Sequence, residues 1–241
     1  MDSLLNNAPN DLARARLLAV STRESGAWLN ALSISSLGLR MDDNTIRVAV
    51  GLRLGSSLCS PHTYQHCEAE VDKQGIHGLS CKKSVGRHYR HSAINDILHR
   101  ALSSAKVPSR LEPTGLTRSD GKRPDGVTMI PWKNGKLLVW DATCPDTAPT
   151  SGVGAVAAMA EERKLKKYDS MSSHHIIMPV VFETLGAVGP RSLQFLSNRI
   201  RKTTGEVKAH QYLLQQLSVA VQRGNAASVL GSVGNVPGPA S

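Results

Sequence analysis

Leu137-Leu138-Val139-Trp140 is an unbroken apolar run, and it ends on an acid, Asp141. A strand wet on one face alternates apolar and polar residues, whereas one without alternation is buried on both faces. Residues Lys136 to Cys144 are therefore expected to form an inner strand with structure layered on each side. Asn134-Gly135 just ahead is a two-residue hairpin signal, joining this strand to a candidate strand over Gly126 to Pro131. Ser109 to Leu116 is a third candidate. From Arg87 to Ala105, Ala93, Ile94, Ile97, Leu98, Ala101 and Leu102 recur at helical spacing, so a helix is expected there, stopped before Pro108. Val153 to Met171 reads as a second helix and Ile176 to Phe182 as a fourth strand. Two closing helices, Pro190 to Lys202 and Glu206 to Leu230, precede a Gly/Pro/Ser tail expected to fray. Helix, three strands, helix, strand is the order of an α/β sandwich.

This divides the chain into an N-terminal region of helix and linker (1–55, with a helix about Asp11 to Leu18), a Cys/His unit (56–86), an α/β core (87–186), and C-terminal helices with a flexible tail (187–241). Hydrophobic residues make up 40% and charged residues 20% of the 241, which argues against wholesale disorder. Twenty-nine Lys and Arg against 19 Asp and Glu give a charge of +10, an excess that suits a polyanionic partner. The longest apolar stretch, Val153 to Ala160, is too short to span a bilayer. The start Met1-Asp2-Ser3 lacks the basic and then apolar pattern of a signal peptide, so a soluble, unexported chain is expected.

The strongest chemical signal is Lys122-Arg123-Pro124-Asp125-Gly126, followed across the Asn-Gly turn by Asp141-Ala142-Thr143. Two carboxylates brought together by a hairpin repel unless a cation lies between them, and oxygen donors of this kind suit Mg²⁺ or Mn²⁺. Such a pair is an apparatus for phosphodiester hydrolysis. The plain alternative is a Pro-Asp-Gly turn and an acid capping a strand end. In an ideal two-residue hairpin Asp141 would lie opposite Thr128, so the pairing requires a bulge, for which Pro124 and Pro131 provide irregularity. Glu112, on the preceding strand, is a candidate third ligand. Lys164, Lys167 and Tyr168 share one side of the second helix, where a lysine could polarise water or stabilise a charged transition state.

Upstream, Cys67, His77 and Cys81 give Cys-x9-His-x3-Cys, compatible with three ligands of a structural Zn²⁺. Cys59, His62 and His66 are candidates for the fourth, and Tyr64 stands where a knuckle would place another Cys. Cys144 reads as a small core residue. The basic run Lys82, Lys83, Arg87, His88, Arg90 and His91 leads into the first helix. Lys82, Lys83, Arg87, Arg90, His91 and Arg123 are candidate contacts to a nucleic-acid backbone.

Taken together, the Cys/His cluster, Arg90-His91, Arg123-Pro124-Asp125, Asp141-Ala142-Thr143 and Lys164-x-x-Lys167-Tyr168 resemble the restriction-like endonuclease region of site-specific non-LTR retrotransposons, a variant of the PD-(D/E)XK nucleases. The resemblance covers about Cys59 to Phe182. It implies a restriction-endonuclease-like core, Asp125 and Asp141 as ligands of Mg²⁺ or Mn²⁺, Lys164 or Lys167 as a catalytic lysine moved onto the helix, and Tyr168 as their partner. It also implies a zinc knuckle, DNA and the RNA of the parent element as partners, and a nuclear location, a cytoplasmic one being the alternative. Thr143 stands where other superfamily members have Lys, and Ser92 where an Asn is expected. The chain has no aromatic-x-Asp-Asp polymerase signature. A DNA endonuclease is the leading expectation, and an inactive nucleic-acid-binding remnant the alternative. A third reading, Gly152-x-Gly154 as a dinucleotide loop, lacks the tight strand-to-helix turn it needs.

Overall fold

In the computed structural model, which describes residues 2–117, 121–148, 152–197 and 207–233, helices surround two small sheets. The helices are α1 (Asp2–Asn6), α2 (Asp11–Val20), α3 (Asp43–Leu54), α4 (Ile76–Ser80), α5 (Val85–Ser104), α6 (Ala155–Lys167), α7 (Pro190–Phe195) and α8 (Val207–Ser232). A two-stranded sheet pairs β1 (His62–Thr63) with β2 (Glu70–Val71). The main sheet has the order β3 (Ser109–Leu111), β4 (Gly126–Thr128), β5 (Leu137–Thr143), β6 (His175–Val181). Its first two pairings are antiparallel and the last parallel, with α6 as the crossover between β5 and β6.

The main sheet and the helices about it are those expected, with shorter strands at its antiparallel edge and a second helix that ends at Lys167, before a 3-10 turn over Asp169–Met171. The last residues of the expected Pro190 to Lys202 helix and the tail lie outside the described residues. α3, missing from the sequence reading, has readable ends. Asp42 caps it through Thr45 N (2.8 Å), and Gly55 closes it at φ 75°. Its β-branched interior, Thr45, Ile46, Val48 and Val50, obscured the periodicity.

β5 is buried from Leu138 to Ala142, as its unbroken apolar run requires. Leu138, Trp140 and Ala142 face a core that α5, α7 and α8 complete with Ile94, Leu98, Leu102, Phe195, Leu213 and Leu217. Val181 of β6 packs on Ala157 and Ala160 of α6 on the opposite face. α8 binds the rest together, because it also supplies Ala226 and Val229 to a cluster with α3 and α4 and Val219 to one around Trp28. Where α8 crosses α5, a Cβ on Gly86 would lie 2.1 Å from Gly224 O, so the two backbones touch through glycine.

That crossing encloses Arg90. The side chain is fully buried and donates to Asn225 Oδ1 (2.9 Å), Ser228 Oγ (3.1 Å) and Leu79 O. Arg90 therefore cannot meet a nucleic-acid backbone in this fold; it ties α5 to α8 and α4. No helix among the described residues is long and apolar enough to cross a membrane.

Candidate active site and metal centre

The β4–β5 hairpin resolves the register problem by bulging. Across the Asn-Gly turn Lys133 bridges Lys136, whereas further down Gly126 faces Trp140, which is seven residue steps on one strand against four on the other. The surplus lies in the segment following Thr128. There the Thr128 hydroxyl stands in for a backbone acceptor, taking Leu138 N at 3.0 Å and donating to Ile130 O. The offset brings Asp125 beside Asp141. Asp125 N donates to Trp140 O (3.0 Å) and Ala142 N donates to Asp125 Oδ2 (2.6 Å), so Asp125 is tied to both chain neighbours of Asp141. Gly126 is needed at this point because a Cβ there would lie 2.0 Å from Trp140 Cζ2, and Asn95 fixes that indole through Nε1 (3.0 Å).

Asp141 is buried and held by α6. Lys164 Nζ donates to Oδ1 and Lys167 Nζ to Oδ2 (2.9 Å), while the fully buried Tyr168 hydroxyl accepts from Lys167 (2.6 Å) and donates to Oδ2. Both lysines and the tyrosine therefore converge on one acid, from the one side of the helix that their spacing gives them. Burial pushes the Asp141 carboxyl up, but the Lys164 charge and the bonds from Lys164, Tyr168 and Lys167 outweigh it and hold the group below its ordinary value. On the other side His91 Nε2 lies 3.0 Å from Asp125 Oδ2. That hydrogen bond raises the His91 pKa against the opposing effect of burial, and the charges of Asp125 and Asp141 add to it.

The expected triad of acids does not form. Glu112 N binds Asp125 O (2.8 Å), but the Glu112 side chain turns outward to pair with Arg123. His91, read from the sequence as a backbone contact, is instead the partner of Asp125. Nothing local signalled this, because the two residues are 34 apart and meet only when α5 packs beside the hairpin. Lys82, Lys83 and Arg87 are exposed at the start of α5, and Arg123 remains partly exposed beside the acids.

The charge argument for a cation between the acids is met here by the protein's own groups, Lys164 and Lys167 at Asp141 and His91 at Asp125. Asp125 Oδ1 is left without any of these bonds. Oxygen donors from both acids fit a hard divalent cation, provided an ammonium leaves Asp141 when the ion arrives.

Cys67, His77 and Cys81 do come together, with ligand atoms all within 4.8 Å, and could hold a metal ion such as zinc. Cys67 Sγ is 3.1 Å from His77 Nε2 and 3.6 Å from Cys81 Sγ, near the edge lengths of about 3.5–3.8 Å that tetrahedral zinc with such ligands requires. Cys67 lies on the β1–β2 turn, His77 on α4, and Cys81 at the end of α4. Cys59 is not a member. Its thiol donates to Asp72 O (3.3 Å), and it packs against the small core of Tyr64, Val71 and Cys81. His62 is engaged with Ser60 O and Ser232 O. Tyr64, where a knuckle would have Cys, is buried between the rings of His66 and His77. Cys144 joins the main core, and desolvation pushes its thiol up to about 11. No protein-family model matches the chain, and no curated protein matches it in sequence.

Proposed function

We propose that this protein is a metal-dependent DNA endonuclease with a PD-(D/E)XK-like core of non-LTR retrotransposon type. The observation that carries the reading is the convergence of Lys164, Lys167 and Tyr168 on Asp141, with Asp125 bonded to both of its chain neighbours. An order of motifs read from sequence thus meets in space, although its members come from a hairpin and a distant helix. Asp125 and Asp141 are the residues that would hold Mg²⁺ or Mn²⁺, which would supply an activated water and charge neutralisation at a phosphate.

The chain's own residues supply the rest. Tyr168 orients Asp141 from beneath. Lys164 and Lys167, about a quarter exposed, reach from Asp141 to a phosphate oxygen and stabilise its growing charge. His91 orients Asp125. Lys82, Lys83, Arg87 and Arg123, all exposed, are the cations offered to the DNA backbone.

A second reading, a nucleic-acid-binding protein without cleavage, is favoured by the saturation of both Asp141 oxygens by protein groups. Supercoiled plasmid with Mg²⁺ or Mn²⁺ separates the two. Nicking that falls at least about 100-fold in Asp141→Ala supports the nuclease; retardation without cleavage by both proteins supports the binding protein.

A further inference from the structure

The bulge that places Asp125 also pushes a pair of apolar side chains into solvent. Met129 is 63% and Ile130 41% exposed, next to each other, at the point where the hairpin leaves regular pairing. The segment is anchored before and after the pair, at its start by Met129 N, which donates to Pro108 O (2.8 Å), and beyond it by two further contacts. Trp132 packs against Phe195 with ring centroids 5.7 Å apart, and Lys136 Nζ donates to Ser172 O (3.1 Å). Exposed apolar side chains on an anchored segment lose little ordering entropy when they insert into a partner.

The surrounding charge selects that partner. Between Gly126 and Trp140, the stretch bounded by Asp125 and Asp141, there is no Asp or Glu, while the exposed Lys133 and then Lys136 follow the apolar pair along the chain. A protein partner for an apolar pair needs no such bias; a polyanion does. The same hairpin carries Asp125, four residues before Met129, which at strand rise is about 13 Å. That is the span of a few base pairs.

We infer that Met129 and Ile130 form a wedge that enters duplex DNA between base steps, with Lys133 on the adjacent phosphate. Apolar side chains that unstack a step, flanked by basic residues, are a recurrent way of kinking a duplex. Kinking beside the acids would open the phosphate to them. This inference rests on the nucleic-acid reading above.

The test uses the full chain without divalent metal and short duplexes carrying 2-aminopurine at a central TA step, which is easily unstacked. Binding is expected to raise the fluorescence several-fold. In Met129→Ser/Ile130→Ser the rise should vanish while affinity falls less than about 10-fold, and Lys133→Ala should lower the salt slope by about one. These positions are exposed, and a thermal melt confirms that each variant is folded. Bound DNA with no fluorescence rise, or a rise unchanged in the double variant, overturns the wedge. Plasmid cleavage run in parallel separates the two claims. Cleavage without unstacking sinks the wedge alone, unstacking without cleavage sinks the nuclease alone, and absence of all DNA binding sinks both.

Discussion

At the scale of single residues, the candidate site is a charge balance. Asp141 is buried with two ammonium groups and a phenol, and Asp125 faces His91. The two shifts work in opposite pH windows. Asp141 has its folded pKa below its ordinary 3.8, so its contribution to stability is present above that value and is lost as pH falls through the folded pKa. His91 has its folded pKa above its ordinary 6.5, so its contribution is full below that value and is lost as pH rises through the folded pKa. Thermal melts of the wild type and His91→Ala in chelator, from pH 5 to pH 9, are therefore expected to differ at acid pH and converge toward alkaline pH. A constant difference would mean that His91 contributes by packing and not by its charge. Arg90 shows how residue type misleads. It lies in a basic run beside exposed Lys82, Lys83 and Arg87, yet it is buried and both its terminal guanidinium nitrogens donate inside the protein.

At the scale of elements, the β4–β5 hairpin does more than join two strands. Its turn and its lower half have different registers, and the bulge between them sets which residues neighbour Asp141. The Pro-Asp-Gly sequence is part of that device, because Gly126 leaves room for the Trp140 indole. Gly126→Ala is expected to destabilise by about 1–3 kcal/mol through overpacking, at roughly 2–4 °C of Tm per kcal/mol for a chain of this length. It should also displace Asp125, so plasmid cleavage is expected to fall further than the melt accounts for. An unchanged melt would show that the indole can move aside. The need for a bulge was legible in the spacing of the acids and the two prolines. Its place after Thr128 was not, because it depends on a side-chain hydroxyl replacing a backbone acceptor.

At the scale of the whole molecule, α8 packs on α5, α3, α4 and the Trp28 segment, so parts distant in sequence share their cores. The Cys/His unit is coupled to this spine, since α4 carries His77 while its Leu79 packs with Ala226 and Val229 of α8. Zinc bound by Cys67, His77 and Cys81 is expected to stabilise the fold by about 2.7 kcal/mol at a hundred times its dissociation constant. Differential scanning fluorimetry should show a Tm raised by zinc, lowered by chelator, and unresponsive to both in Cys81→Ala. An equal response in Cys81→Ala would place the ion elsewhere, whereas Cys59→Ala should respond as the wild type does.

What the sequence determined by itself is whatever depends on neighbours along the chain. The unbroken apolar run required an inner strand, helical spacing put Lys164, Lys167 and Tyr168 on one side of α6, and Cys-x9-His-x3-Cys held three donors close enough to share an ion. Tertiary structure decided the pairings between distant residues. It gave Asp125 to His91, turned Glu112 to Arg123, buried Arg90 and left Cys59 outside the metal cluster. The physical reason is that periodicity reports which face of an element is apolar. A charged or thiol side chain takes its partner from whatever the packed layers bring within hydrogen-bond distance, and no local pattern encodes that.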